Sequence, residues 1–249
     1  MSSTIALEYY KIRRKNIGLM LILFLLVEMT WAFMAISMSI ARNPDHAAWE
    51  AVLFNISYMN GLFMPIVSAI VVSRICDMEH KGATWKMLAA TNVSRTQLYA
   101  AKYVCAHSLL LIGILAQTAL MIGFGWLQKF PGMPFGQFMQ FVAGTAAVTL
   151  AVAALQQWVS MSVKNQAFAL CLGMIGGFFG LTAGLFPASA RHLLIWSYYL
   201  DLSPTIYVYS EPVGAYAAQT FAFGKMTAVL MMAALSYIAG NIHVNRKEI

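Results

Sequence analysis

The residues of this chain that could do chemistry are few, and most of them interrupt long apolar runs. Glu28 lies in the middle of one such run, where an ionised side chain costs on the order of 2.5–3.5 kcal/mol on insertion scales. A carboxyl there faces a bundle interior, either as a part of substrate recognition or coupling, or as a neutral, locally paired structural group. His107, Gln117, Gln156 and Gln157 lie in later apolar runs and can hydrogen-bond between helices or meet a ligand. The other chemistry-bearing patterns do not occur. The five histidines are scattered without metal-ligand spacing, so no metal site is expected, and there is no G-x-x-x-x-G-K-[ST] phosphate loop or G-x-S-x-G elbow. Cys76, Cys105 and Cys171 lack C-x-x-C spacing and read as free thiols. The chain is therefore not expected to be an enzyme, and it should bind no cofactor of its own.

The elements that position these residues are membrane spans. Hydrophobic residues make up 60% of the chain and charged residues 10%, with a mean hydropathy of +0.69, far from the composition of a soluble domain. Six runs are long enough to cross a hydrocarbon core of about 30 Å: 17–41, 51–75, 103–127, 138–162, 166–187 and 219–242. They lack the period-2 alternation of barrel strands, so the fold class is all-α, an integral membrane protein with six transmembrane helices in one domain spanning 1–249. Ahead of the first span, residues 1–16 place Ile5, Tyr9 and Ile12 on one helical face and Glu8, Lys11 and Lys15 on another, an amphipathic helix lying on the membrane surface.

Basic residues set the orientation. With both termini cytoplasmic, Lys11, Arg13, Arg14, Lys15, Arg74, Lys81, Lys86, Arg95, Lys102, Lys164, Arg246 and Lys247 lie inside. Only Arg42, Lys129, Arg191 and Lys225 of the 16 basic residues lie outside. The net charge of +7 is thus a topology signal and a means of touching anionic headgroups, with no nucleic-acid partner implied.

The longest polar interruption, 77–102, joins spans two and three and is longer than the 2–8 residues that packed helices usually need. Trp85, Leu88 and Ala89 recur at helical spacing, predicting a short amphipathic helix. Ser94-Arg95-Thr96-Gln97 then fits a capping box, with Ser94 starting the third span. Surplus ordered sequence of this kind suggests a contact surface for a soluble partner. At the opposite side, 188–218 carries Trp196, Tyr198, Tyr199, Tyr207 and Tyr209, which read as an interfacial aromatic belt or short re-entrant hairpin.

Glu79-x-x-Gly82-x-Thr84, Leu88, Ser94-Arg95, Leu98 and Lys102 resemble the E-x-x-G-T…L…S-R…L…K pattern of type-2 ABC transporter permeases. Ala83 precedes Thr84, and Thr91-Asn92 stands where a proline commonly precedes the S-R pair. The resemblance extends over most of the chain, to the short basic C-terminus Asn245-Arg246-Lys247-Glu248. It implies that 77–102 is a coupling loop docking on separate ABC ATPase subunits through Glu79, Gly82, Thr84, Leu88, Ser94, Arg95 and Lys102. It also implies a second permease chain, identical or not, and ATP and Mg held by the partner ATPase. By its length the chain looks most similar to the permeases of the bacterial plasma membrane that give immunity to lantibiotics and bacitracin-like peptides. On that reading Trp196, Asp201 and Glu211 are candidate extracellular contacts for a peptide antibiotic, with Asp45 and Glu50 as further counter-charges. A type-2 permease for a lipid, drug or ion, and an ATPase-independent carrier, stand as alternatives.

Overall fold

The computed structural model of the chain describes residues 2–13, 15–81, 94–209 and 214–246. Helix α1 (Ser2–Arg13) turns through Asn16 into α2 (Ile17–Arg42). Asn16 takes the left-handed conformation, φ 53°, which asparagine tolerates better than most residues. Asn43 accepts from the Asp45 N–H ahead of a 3₁₀ turn at Pro44–His46, and Pro44 prevents α2 from continuing. α3 (Trp49–Lys81) returns, α4 (Arg95–Leu127) runs out again, and α5 (Phe135–Ser162) comes back after Pro134. α6 (Ala167–Leu181) is followed by short helices α7 (Ala188–Arg191) and α8 (Tyr198–Asp201). A hairpin of β1 (Thr205–Val208) and β2 (Ala215–Ala218) comes next, and then α9 (Phe223–Arg246).

The fold is 82% helical, and among the described residues five helices are long and apolar enough to cross a membrane: α2, α3, α4, α5 and α9. The run expected as the fifth span holds a helix of only 15 residues, about 22 Å at the α-helical rise. Its chain then folds back, burying Tyr198, Tyr199, Asp201 and Leu202 against the bundle. The antiparallel hairpin, with Thr205 opposite Ala218 and Tyr207 opposite Tyr216, is a further feature that the helical periodicity does not foresee.

α3 and α5 form the centre of the bundle. In their most apolar windows 67% and 61% of residues are buried, against 22% in α2 and α9, so the outer helices present their apolar faces to lipid. Near the α1 end, Ile12, Ile75, Tyr99, Leu110 and Val244 share one core; at the opposite end Trp49 meets Phe130 and Phe138 edge-on, at centroid distances of 5.6 and 5.5 Å. α6 lies against α3 along Gly173, Gly177 and Gly180. A methyl group on Gly61 would come within 2.8 Å of Gly180 O, and one on Gly177 within 2.6 Å of Leu62 O. Only glycine allows that backbone approach.

Both described ends of the chain lie at one end of the bundle. Asn245 Nδ2, near the end of α9, donates to Thr96 Oγ1 (2.9 Å), while Glu8 in α1 reaches Lys102.

Candidate functional site

The start of α4 is built as its sequence predicts. Gln97 N donates to Ser94 Oγ (3.2 Å) and Ser94 N donates to Gln97 Oε1 (3.3 Å), so two otherwise unsatisfied donors at the helix start are paired. Arg95 Nη1 reaches Asn245 O at 3.4 Å, tying α9 to the same place. α3 ends at Lys81 with Glu79 in its last turn. Gly82, Thr84 and Leu88, with the helix expected around Trp85, fall outside the described residues.

Lys102 does not face a partner. Its side chain is 0% exposed, Nζ contacts Glu8 Oε2 at 2.7 Å, and it donates to Ile75 O at 3.2 Å. This corrects two expectations, because Glu8 is also 0% exposed and turns into the bundle, where Lys11 holds its other oxygen at 2.7 Å. The physical reason is desolvation: two buried opposite charges persist only when paired and further hydrogen-bonded, as here. The result is a lock joining α1, α3 and α4 at the foot of the segment expected to couple. Beside it Tyr9 OH meets Ser108 Oγ, and Cys105 Sγ reaches Ile5 O at 3.8 Å, so α1 is seated along α4.

Deeper in the bundle the polar residues sort into two kinds. Gln157 Nε2 donates to Tyr99 O (2.8 Å). In the amide orientation that satisfies both of its atoms, Gln156 Nε2 donates to Ala169 O and its Oε1 accepts from Gly173 N, each at 3.1 Å, stitching α5 to α6. His107 stacks on Tyr103 with a centroid distance of 6.4 Å. These are packing roles. Gln117 exchanges two hydrogen bonds with Asn60 of α3 (3.2 and 3.1 Å), a partner that sequence reasoning missed although Ser57 and Asn60 share one helical face of an apolar run. Glu28 is the one carboxyl among these intramembrane candidates. It is 3% exposed, Oε1 has no hydrogen-bond partner, and Glu28 and Gln117 line a cavity of about 20 Å³, on the scale of a single water molecule. Leu25, Met64, Val67 and Leu110 complete its wall.

At the far end, Asp201 was expected as an outward counter-charge and is instead buried. Arg191 Nη2 lies 2.8 Å and Lys225 Nζ 3.2 Å from its Oδ1, binding α7 and α9 to α8, and His192 Nε2 stands 3.9 Å from Oδ2. Burial, with Asp201 adding to it, raises the Tyr198 hydroxyl above its ordinary value, and Tyr198 OH donates to His192 O (2.9 Å). Tyr199 OH meets Thr149 Oγ1 at 3.1 Å. Trp196 stacks on Phe179 and packs over Gly176, holding the returning chain on α6. Glu211 lies outside the described residues, whereas Asp45 remains exposed. Among the described residues no group of three His, Cys, Asp or Glu side chains is arranged to hold a metal ion.

The sequence was compared with protein families and with curated proteins. No curated protein matches it. Residues 4–180, from α1 through nearly all of α6, match the family described as ABC-2 family transporter protein.

Proposed function

Because the chain belongs to the ABC-2 family of transporter proteins, we propose that it is the permease subunit of an ATP-driven exporter whose ATPase docks on 77–102. Membership makes it a multi-pass membrane transport subunit that works with an ABC ATPase. The observation that carries the docking site is the geometry of two successive helices, the central α3 and its neighbour α4. α3 ends at Lys81 and α4 begins, capped, at Ser94, both at the end of the bundle that also receives α1 and the end of α9. Force applied between those feet enters α3, the helix most deeply buried in the bundle.

In this reading Glu79, Gly82, Thr84, Leu88, Ser94 and Arg95 present the coupling surface, and Lys102 serves it from behind by anchoring α1. Both termini are cytoplasmic. The even number of passes this requires is met by counting α6 and its returning segment as the sixth crossing of the plasma membrane. ATP and Mg are bound by the partner, and a second permease chain completes the transporter.

The cargo we propose is an antimicrobial peptide of the lantibiotic or bacitracin class, received at the outer leaflet, which would make the protein an immunity determinant. The burial of Asp201 favours a second reading, export of a less cationic amphiphile such as a lipid or drug, since it removes one carboxylate from the outer face. Coexpression with the candidate ATPase separates these claims. The ATPase copurifies with the chain and is lost on Glu79→Ala or Gly82→Leu, and peptide sensitivity rises on deletion of the permease. Retained copurification in both variants overturns the docking site. Unchanged sensitivity, with copurification intact, leaves the second reading.

A further inference from the structure

A second polar site lies at the α1 end of the bundle, away from the lock and from Glu28. Met20 of α2, Ile70, Ser73, Arg74 and Asp77 of α3, and Lys164 to Leu170 at the α5–α6 junction enclose a cavity of about 360 Å³. Its two cations, Arg74 and Lys164, come from different elements, and both side chains are exposed. Neither has an ion pair among the described residues. Ser73 Oγ donates to Ile70 O (3.1 Å) and Gln166 Nε2 to Ser160 O and Val163 O (3.0 and 3.2 Å), so Arg74 and Lys164 are the charged donors that the cavity offers an anionic ligand. Across from them the wall is apolar, from Met20, Ile70, Ala167 and Leu170. The site is level with the ends of α2, α3 and α6. From there the exposed apolar side chains of α2, Leu19, Ile22 and Leu23, and of α6, Phe168 and Ile175, continue towards the bilayer centre.

We propose that this cavity binds the headgroup of an anionic phospholipid, its phosphodiester between Arg74 and Lys164 and its acyl chains along the faces of α2 and α6. Paired cations over an apolar wall match the two halves of such a molecule, and a soluble anion would leave the apolar half unused. The occupant would touch Asp77, the first residue of the proposed coupling segment, so the lipid composition of the inner leaflet would bear on how firmly that segment is held. The proposal needs the chain only to be a membrane protein. Its test uses no ATPase and therefore fails or succeeds separately from the docking reading.

The full chain, purified in detergent, is titrated with phosphatidylglycerol or phosphatidylcholine and bound lipid is counted by native mass spectrometry. Phosphatidylglycerol should bind more tightly. Arg74→Gln and Lys164→Gln should each weaken it by about fivefold, the double variant by about 25-fold, with phosphatidylcholine unaffected. Asp77→Asn should tighten it, since it removes a like charge, and Lys129→Gln at the opposite end should change nothing. Equal binding of the two lipids overturns the proposal, as does a preference that survives the double variant, falls equally with Lys129→Gln, or weakens with Asp77→Asn. Displacement of the lipid by millimolar inorganic phosphate overturns it in favour of a soluble-anion site. The two single variants alter exposed positions, and each must elute as a monodisperse helical protein for its binding to be scored.

Discussion

Two buried carboxylates, at opposite ends of the bundle, hold peripheral elements against the spans by different means. Glu8 and Lys102 are both completely buried at the α1 end. Asp201 at the far end is buried but its partners Arg191 and Lys225 keep 24% and 28% of their side-chain surface. Water therefore reaches both cations of the second cluster, but in the first it reaches only Lys11, 25% exposed, and not Lys102. The α1 end is built as a rigid joint at the foot of the proposed coupling segment, whereas the far end is built as a softer tether for the returning chain and hairpin. Between them Glu28 has a buried oxygen with neither cation nor hydrogen bond. A carboxyl with one oxygen so placed contributes little to holding the bundle together.

Substitutions that break these clusters should rank accordingly. Glu8→Gln removes the carboxylate facing a fully buried Lys102, and should lower the stability of the detergent-purified chain by about 3–5 kcal/mol, read as a large fall in thermal midpoint with early proteolysis of α1. Pairing it with Lys102→Met should restore part of that loss, because the double variant buries no unmatched charge there; strictly additive losses would mean the two residues do not act as a pair. Asp201→Asn should cost less, about 1–3 kcal/mol, since the partly exposed Arg191 and Lys225 recover hydration, and protease sensitivity should appear first in the segment 188–218. Glu28→Gln should change stability by under about 1 kcal/mol while lowering transport; a stability loss as large as that of Glu8→Gln would show that Glu28 is a structural group.

How much of this was legible in the sequence depended on the range of the signal. The Ser94 capping box and five of the spans follow from local spacing and stand in the structure, whereas the run 166–187 holds a helix of only 15 residues. The Glu8–Lys102 lock joins residues 94 positions apart, and no local pattern pairs them. Helical periodicity put Glu8 on the solvent face, and the buried lysine overrode it. The hairpin was also missed, although Thr205-Ile206-Tyr207-Val208 carries the β-branched and aromatic residues of a strand. The aromatic content of that region reads as a membrane belt or a short re-entrant hairpin, neither of which specifies a pair of strands. Asp201 was misplaced for a related reason: a charge outside the spans was taken as exposed, and its partners come from two other elements. Asn60 was passed over because a lone amide in an apolar run gives no hint that Gln117 lies across from it.

The central claim is that 77–102 receives the ATPase, and site-specific photo-crosslinking tests it most directly. With a benzophenone side chain at Leu88 in the assembled complex, the account predicts a covalent adduct to the ATPase whose yield changes when ATP and Mg are added, and no adduct from the same group at Lys129. Adducts from Lys129 and none from Leu88, or equal adducts from both, would contradict it.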